Sequence, residues 1–271
     1  MPPNSYQTAL VTYVDLLAFR NLIERSKKNP AVVVEIIETL ERFHRKLVPP
    51  VERRDPQSSP GRLASRNFSD HIVRCKFLPD VTDIGRYAND EYVFLSEVQM
   101  QLAVRGILVR GGVCVGNLYV DEVIFGPALV KAYALESEYA IYPRIVCDRD
   151  LIHPKRKRDT EKYDNRFVSQ AEDGAYFIDY LKAQCWLRLS VHTGNNMSAL
   201  EIVQRHRQMI EATLGGRRPA IRGLPETVKK KYMWLALYHN RTIKWLREHF
   251  REVLESRLLE GEMIPELLLR F

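Results

Sequence analysis

Two short segments each place an aspartate at the end of an apolar run. The first is Thr12-Tyr13-Val14-Asp15-Leu16-Leu17-Ala18-Phe19-Arg20, a strand pattern running into a helix pattern. The second is Asn67-Phe68-Ser69-Asp70-His71-Ile72-Val73, with Ser-Asp-His between two short apolar runs. A carboxylate at the end of a buried strand is costly unless something neutralises it. Two of them side by side repel unless a divalent cation lies between them. Magnesium suits such a site, because it takes few protein carboxylates and leaves positions for phosphate oxygens. Each aspartate also has a plain structural reading, Asp15 as a helix N-cap and Asp70 as a turn residue. His71 is expected to face the opposite side of its strand from Asp70.

The elements that must position these groups follow from periodicity. Residues 7–15 read as a β-branched buried strand. Helical spacing runs from Leu17 to Ser26 and, after Asn29-Pro30, through Val34, Ile37, Leu40, Phe43 and Leu47. Residues 51–62 carry Pro56, Pro60 and Gly61 and read as a loop. Residues 63–68 and 71–77 read as a hairpin with Asp70 at its tip, and a long helical pattern fills 81–107. Strands are expected at 108–115 and 119–125 with Gly116-Asn117 as the turn. A helix then runs from Gly126-Pro127 through Glu136, before a short strand at 144–148.

That order, β-α-α-β-β-α-β-β-α-β, is compatible with a ferredoxin-like core, an antiparallel sheet backed by helices. In such a sheet the first strand lies beside the central hairpin and brings Asp15 next to Asp70. The predicted class is α+β, with a core over residues 1–150 and a mostly helical extension over 151–271 packed on it. In the extension, 153–166 is a charged loop, 167–180 holds a strand or hairpin, and helical patterns fill 197–214, 225–249 and 251–269. The bulky run from Lys231 to Asn240 reads as a helix packed on the core or at a subunit contact.

The 271-residue chain has 45% hydrophobic and 28% charged residues, which fits an ordinary globular protein. A net charge of +7 favours anionic partners, with basic runs at Lys155–Arg158, Arg217-Arg218 with Arg222, and Lys229–Lys231. Such runs read first as solvated faces. They lack the interleaved aromatics of a nucleic-acid platform, so no nucleic-acid partner is expected. No signal peptide and no apolar run of membrane-spanning length is seen. Cys75, Cys114, Cys147 and Cys185 are widely spaced within apolar runs, which predicts buried free thiols in a reducing cytoplasm. No P-loop, zinc spacing or Ser-His-Asp order competes with the aspartate pair.

Taken in order, the motifs resemble those of the class III nucleotide cyclases, and within them the short bacterial pyrimidine cyclases of Pycsar antiphage systems. Tyr13-Val14-Asp15-Leu16-Leu17-Ala18-Phe19-Arg20 matches the family's Phe-x-Asp-Ile-x-Gly-Phe-Thr, with Ala18 for Gly and Arg20 for Thr. Arg66-Asn67-Phe68-Ser69-Asp70 matches a Lys-x-x-Gly-Asp hairpin. Arg110-Gly111-Gly112 and the run Gly126-Pro127-Ala128-Leu129-Val130-Lys131-Ala132-Tyr133-Ala134-Leu135-Glu136 match the third motif. The resemblance covers about residues 8–148.

It implies two Mg2+ or Mn2+ ions held by Asp15, Asp70 and the carbonyl of Leu16. One would lower the pKa of the ribose 3′-hydroxyl and the other would hold the triphosphate. Amides around Ala18, Phe19 and Arg20 would cradle phosphate oxygens. The family's adenine-selecting Lys and Asp are Arg66 and Val123 here, which points to a pyrimidine; Arg66 and Ser69 join the substrate-binding set. Its transition-state Asn and Arg are Val130 and Ala134, leaving Lys131, Arg110 or Arg144 as substitutes. The implied reaction is UTP to 3′,5′-cyclic UMP and pyrophosphate. The alternatives are CTP to cyclic CMP, a silent nucleotide-binding module, or a nucleic-acid-binding, polymerase-like palm protein, which also pairs aspartates but would need a template-binding surface. The implied form is a cytoplasmic homodimer with shared sites, signalling to a separate cyclic-nucleotide-sensing effector protein, with no membrane partner.

Overall fold

The computed structural model describes residues 5–48, 63–79, 84–153, 166–190, 197–214, 225–250 and 269. The predicted loops at 51–62 and 153–166 and the helical pattern at 251–269 lie almost wholly outside them. The chain is α+β, as its sequence pattern predicts. Strand β1 (Gln7–Leu16) leads into helices α1 (Phe19–Ser26) and α2 (Ala31–Leu47). The hairpin β2 (Leu63–Phe68) and β3 (His71–Phe77) follows, then α3 (Ile84–Ala103), β4 (Val109–Val120) and β5 (Ile124–Phe125). Helix α4 (Pro127–Ala134) runs into a π-helical turn at Leu135–Tyr139, β6 (Ile145–Cys147) and α5 (Arg149–Ile152). Residues beyond Ile152 add β7 (Val168–Gln170), β8 (Tyr176–Ile178), α6 (Tyr180–Ser190), α7 (Ala199–Leu214) and α8 (Glu226–His249).

The strands form one mixed eight-stranded sheet in the order β2-β3-β1-β4-β6-β8-β7, with β5 paired to β4. Strands β2, β3, β1 and β4 pair antiparallel with one another, so two split crossovers interleave around the central β1. β6 joins β4 in parallel, and the β7–β8 hairpin extends the same sheet from β6.

Alternation along β1 divides the core in two. Leu10, Val14 and Leu16 face α1–α3 and pack with Phe43, Tyr92 and Leu95. Ala9 and Val11 face the other way, against Val73, Cys114, Ala128 and Ala132 under α4. A third cluster joins α6, α7 and α8 to Met100, Ala103 and Leu108. The bulky run predicted to pack on the core does so: Leu235, Ala236, Tyr238 and His239 of α8 are buried. All four cysteines are free and buried, and burial pushes the Cys75, Cys114 and Cys185 thiols up to about 12.

One turn is displaced from its expected place. Gly116 and Asn117 continue β4 opposite Ala9 and Thr8, and the strand turns at Asp121–Val123, where the Asp121 amide donates to the Val123 carbonyl at 2.9 Å. Gly116 serves packing instead: a Cβ there would lie 3.3 Å from that of Ala128.

Candidate metal and nucleotide site

Asp15 is the last odd-numbered residue of β1, so it emerges on the α4 side at the end of the strand. It pairs with His71 of β3 on one side and Arg110 of β4 on the other. The Leu16 amide donates to the Asp70 carbonyl at 3.0 Å, which locks the β2–β3 turn against the end of β1. Asp15, Asp70 and His71 thereby converge, with one ligand atom from each lying within 4.8 Å of the others. The two aspartates that the sequence pattern expects together are together.

His71 differs from its expected direction. Asp70 sits in the turn and not in the strand, so alternation does not set the two side chains on opposite faces. His71 opens β3 with the parity of Val73 and Cys75, which face α4 as Asp15 does. Its Nε2 lies 3.3 Å from Asp15 Oδ1 and its Nδ1 3.1 Å from Asp70 Oδ1. An imidazole so placed donates to both carboxylates when doubly protonated, and when neutral has one lone pair for a metal.

Arg110 is the cation nearest Asp15, donating Nε–H to Oδ2 at 2.9 Å. The same nitrogen lies 2.7 Å from Glu136 Oε1. A guanidinium Nε carries one hydrogen, and here it goes to Asp15. Among the described residues Glu136 Oε1 has no hydrogen-bond donor, although Glu136 is only 2% exposed. Burial raises the pKa of Asp15; Arg110 opposes the shift and Asp70 adds to it. Burial likewise raises Glu136, opposed by Arg110 and reinforced by Asp15, with which it is placed to share a proton. Burial, Glu136 and Asp15 also push the Tyr13 hydroxyl up. The site holds more carboxylate than its own cations balance.

Glu136 stands in the matched third motif, but nothing in the sequence alone marks its direction. The π-helical turn aims it inward, and Gly112 admits it: a Cβ there would lie 2.3 Å from the Ala132 carbonyl oxygen and 3.1 Å from the Glu136 amide.

Backbone shape at the two motifs is also specific. Ala18 caps α1 with φ 67° and Ser69 turns the hairpin with φ 55°, and these are the only non-glycine residues at positive φ among those described. They occupy the two positions where the resembled motifs carry glycine. A left-handed conformation costs a residue with a Cβ about 1–2 kcal/mol. Ala18 and Arg20 are exposed and Phe19 is buried, so the N-terminus of α1 is open to an anion beside Asp15. Leu16 contributes its backbone, its side chain being buried under α1–α3.

The remaining candidates lie elsewhere. Arg66 donates to the Asp121 carbonyl at 2.6 Å. It is level with Gly112 in the register, whereas Asp121 stands nine residues further along, about 30 Å in a straight strand. The β4–β5 hairpin therefore curls back over the sheet and brings Arg66 to the turn that carries Val123. Lys131 pairs with Asp148, and with Asp150 at 3.4 Å. Those carboxylates hold its pKa above the ordinary value although burial opposes them. Arg144 is buried, pairs with Asp173 and donates to the Tyr139 carbonyl at 2.9 Å, a structural commitment. Of the three cations expected as transition-state substitutes, only Arg110 touches the aspartate cluster within this chain.

Comparison with the known protein families and with curated proteins finds no match. No helix among the described residues is long and apolar enough to cross a membrane.

Proposed function

We propose that this protein is a nucleotide cyclase of the class III type, built on a ferredoxin-like core, that converts UTP to 3′,5′-cyclic UMP and pyrophosphate. The observation that carries the reading is the convergence of Asp15, Asp70 and His71, with ligand atoms within 4.8 Å, beside an open helix N-terminus. The donor set fits a divalent ion: two carboxylates and an imidazole meet where Asp15 and Glu136 exceed the charge of Arg110. When bound there, Mg2+ or Mn2+ neutralises triphosphate charge and makes the ribose 3′-hydroxyl more acidic.

The residues divide the remaining work. Asp15 and Asp70 hold the ion, with His71 and the Leu16 carbonyl completing the set. The α1 amides at Ala18, Phe19 and Arg20 orient phosphate oxygens, and Arg110 offsets their charge. Arg66 donates to carbonyl oxygens of a pyrimidine from the turn that Val123 shares, with Ser69 shaping the hairpin. Positioning and charge neutralisation supply most of the rate enhancement in phosphoryl transfer, so this division suffices in kind.

The active form is a cytoplasmic homodimer. Phe125, Val130 and Tyr133 are exposed on the curled hairpin and α4, with Tyr133 edge-on to Tyr13 near Asp15, and a second copy would cover them. A two-fold arrangement would also bring one copy's residues around Asn117–Val123 and Lys131 opposite the other's aspartates. The product would act on a separate cyclic-nucleotide-sensing effector in antiphage defence.

The test is incubation of the protein with each of the four ribonucleoside triphosphates and Mn2+, with products identified by mass. Cyclic UMP is the expected main product. Predominant cyclic AMP or GMP would overturn the base assignment, and cyclic CMP would move it to cytosine. No cyclic product from any triphosphate would overturn the enzyme reading. A catalytically silent binder is the second reading, favoured by Val130 and Ala134 at the transition-state positions and by the pairing of Lys131 with Asp148; it predicts triphosphate binding without turnover.

A further inference from the structure

Three consecutive lysines open α8, and they are not equivalent. Lys229 pairs with Glu226 at 2.6 Å one turn back, and Lys230 is exposed. Lys231 is half-buried, and among the described residues no carboxylate lies within ion-pair distance of it.

Its position follows from the packing of α8. Leu235, four residues on and therefore on the same helix face, is fully buried in a cluster that contains Leu108 and against which Leu17 packs. Leu17 and Leu108 are joined by a backbone hydrogen bond of 2.9 Å. They stand two residues beyond Asp15 and two before Arg110, at the ends of the strands that carry the site. Trp234, three residues after Lys231 and on the same helix face, stacks on Tyr142 with ring centroids 5.4 Å apart, and the Arg144 carbonyl two residues past Tyr142 accepts from the Gly111 amide, next to Arg110, at 3.1 Å. The face of α8 that carries Lys231 therefore borders the strand end that carries Arg110. The Lys231 ammonium feels the charges of Arg110 and Asp15. Two cations brought near each other with one of them unpaired form a place for an anion.

We propose that Lys231 binds the β- and γ-phosphates of the nucleoside triphosphate, so that the C-terminal helices complete the site. This rests on the cyclase reading for the identity of the ligand, though not for its polyphosphate chemistry. Burial and the charge of Arg110 lower the pKa of Lys231 from the ordinary lysine value, as expected of an ammonium awaiting an anionic partner.

The experiment is calorimetric titration of the full chain with manganese tripolyphosphate, comparing wild type with Lys231→Met, Lys231→Arg and Lys230→Met. Lys231→Met is expected to weaken binding about tenfold, the loss of one charge-assisted hydrogen bond. Lys231→Arg should restore most of the affinity, and Lys230→Met should match wild type. Thermal melting shows that each variant is folded; should the methionine variant melt early, Lys231→Gln replaces it. With UTP, the same variant should raise KM by a similar factor. Equal tripolyphosphate affinity of wild type and Lys231→Met overturns the proposal, as does an equal loss in Lys230→Met. Lysine-dependent tripolyphosphate binding without any cyclic product overturns the cyclase reading and leaves this site standing. Cyclic UMP formation with unchanged kinetics in Lys231→Met overturns this site and leaves the cyclase reading.

Discussion

Strand β1 carries an arginine–carboxylate contact on each of its faces, and the two are balanced differently. On the α1–α3 side Arg74 meets Glu91 through two nitrogens, at 3.0 and 3.3 Å, and also donates to the Leu47 carbonyl. Thr12 of β1 completes the set by donating to Glu91 at 3.2 Å. One cation faces one anion, and the guanidinium stacks 4.0 Å over the Phe94 ring. On the α4 side, three residues further along the strand, the single Nε–H of Arg110 goes to Asp15 and leaves the nearby Glu136 Oε1 without a donor among the described residues. Asp70 adds a third carboxylate nearby. A closed network holds a fold together, whereas one with surplus charge is built to receive something.

The sharpest way to break this contrast is to remove carboxylates from each side. Asp15→Ala or Asp70→Ala should lower cyclic-nucleotide formation by about a thousandfold, roughly 4 kcal/mol of barrier. Divalent-ion affinity should fall with it, while the melting temperature holds or rises slightly, since carboxylate repulsion is relieved. Activity near the wild-type rate in either variant would remove that residue from the site. Glu91→Ala should do the reverse. It strands the Arg74 charge in the core and should cost about 3–5 kcal/mol in chemical denaturation. If Glu91→Ala were tolerated and Asp15→Ala unfolded the chain, the assignment of the two faces would be inverted.

A smaller effect is expected from pH. Asp15 and Glu136 have folded pKa values raised above their unfolded ones, so the folded chain holds protons that the unfolded chain releases. Their contribution to stability is full in acid, below about pH 4, and is lost as pH rises through the raised values. In protein treated with a chelator, Glu136→Gln should flatten that decline and gain about 1 kcal/mol at neutral pH. Divalent affinity should run the other way and strengthen with pH, because the ligands must lose protons to bind. A Glu136→Gln melting curve with the wild-type pH slope would show that the surplus charge is not at Glu136. The smallest effect belongs to the backbone: Ala18→Gly should stabilise by about 0.5–1 kcal/mol, the relief of a left-handed residue less the added chain entropy. A destabilised Ala18→Gly would mean that Ala18 does not hold its positive φ in solution.

The sequence showed this site unevenly. Asp15 and Asp70 were legible because each lies in a short motif whose strand pattern is local, and because the β-α-β-β order places β1 beside β3. Glu136 and Lys231 were not. Their directions depend on a π-helical turn, on the approach permitted by Gly112, and on where α8 docks, none of which leaves a local pattern. The helix α6 is equally silent, since Tyr180, Leu181, Ala183, Gln184, Cys185, Arg188 and Leu189 are all buried and no amphipathic stripe survives. Gly116-Asn117 misled in the opposite sense: both residues continue the strand, and Gly116 is used there for close helix approach.

The cluster shared by Leu17, Leu108 and Leu235 also sets an order of assembly on the ribosome. Asp15, Asp70 and Arg110 are all synthesised within the first 110 residues. The apolar cluster that Leu108 and Met100 share with Leu235 is not complete until α8 emerges, roughly 130 residues later, a delay on the order of ten seconds at ordinary elongation rates. Through that interval the nascent chain holds Asp15 and Asp70 but lacks the helix that carries Lys231. The part of the proposed site that Lys231 would supply is therefore the last to form, when α8 joins the cluster.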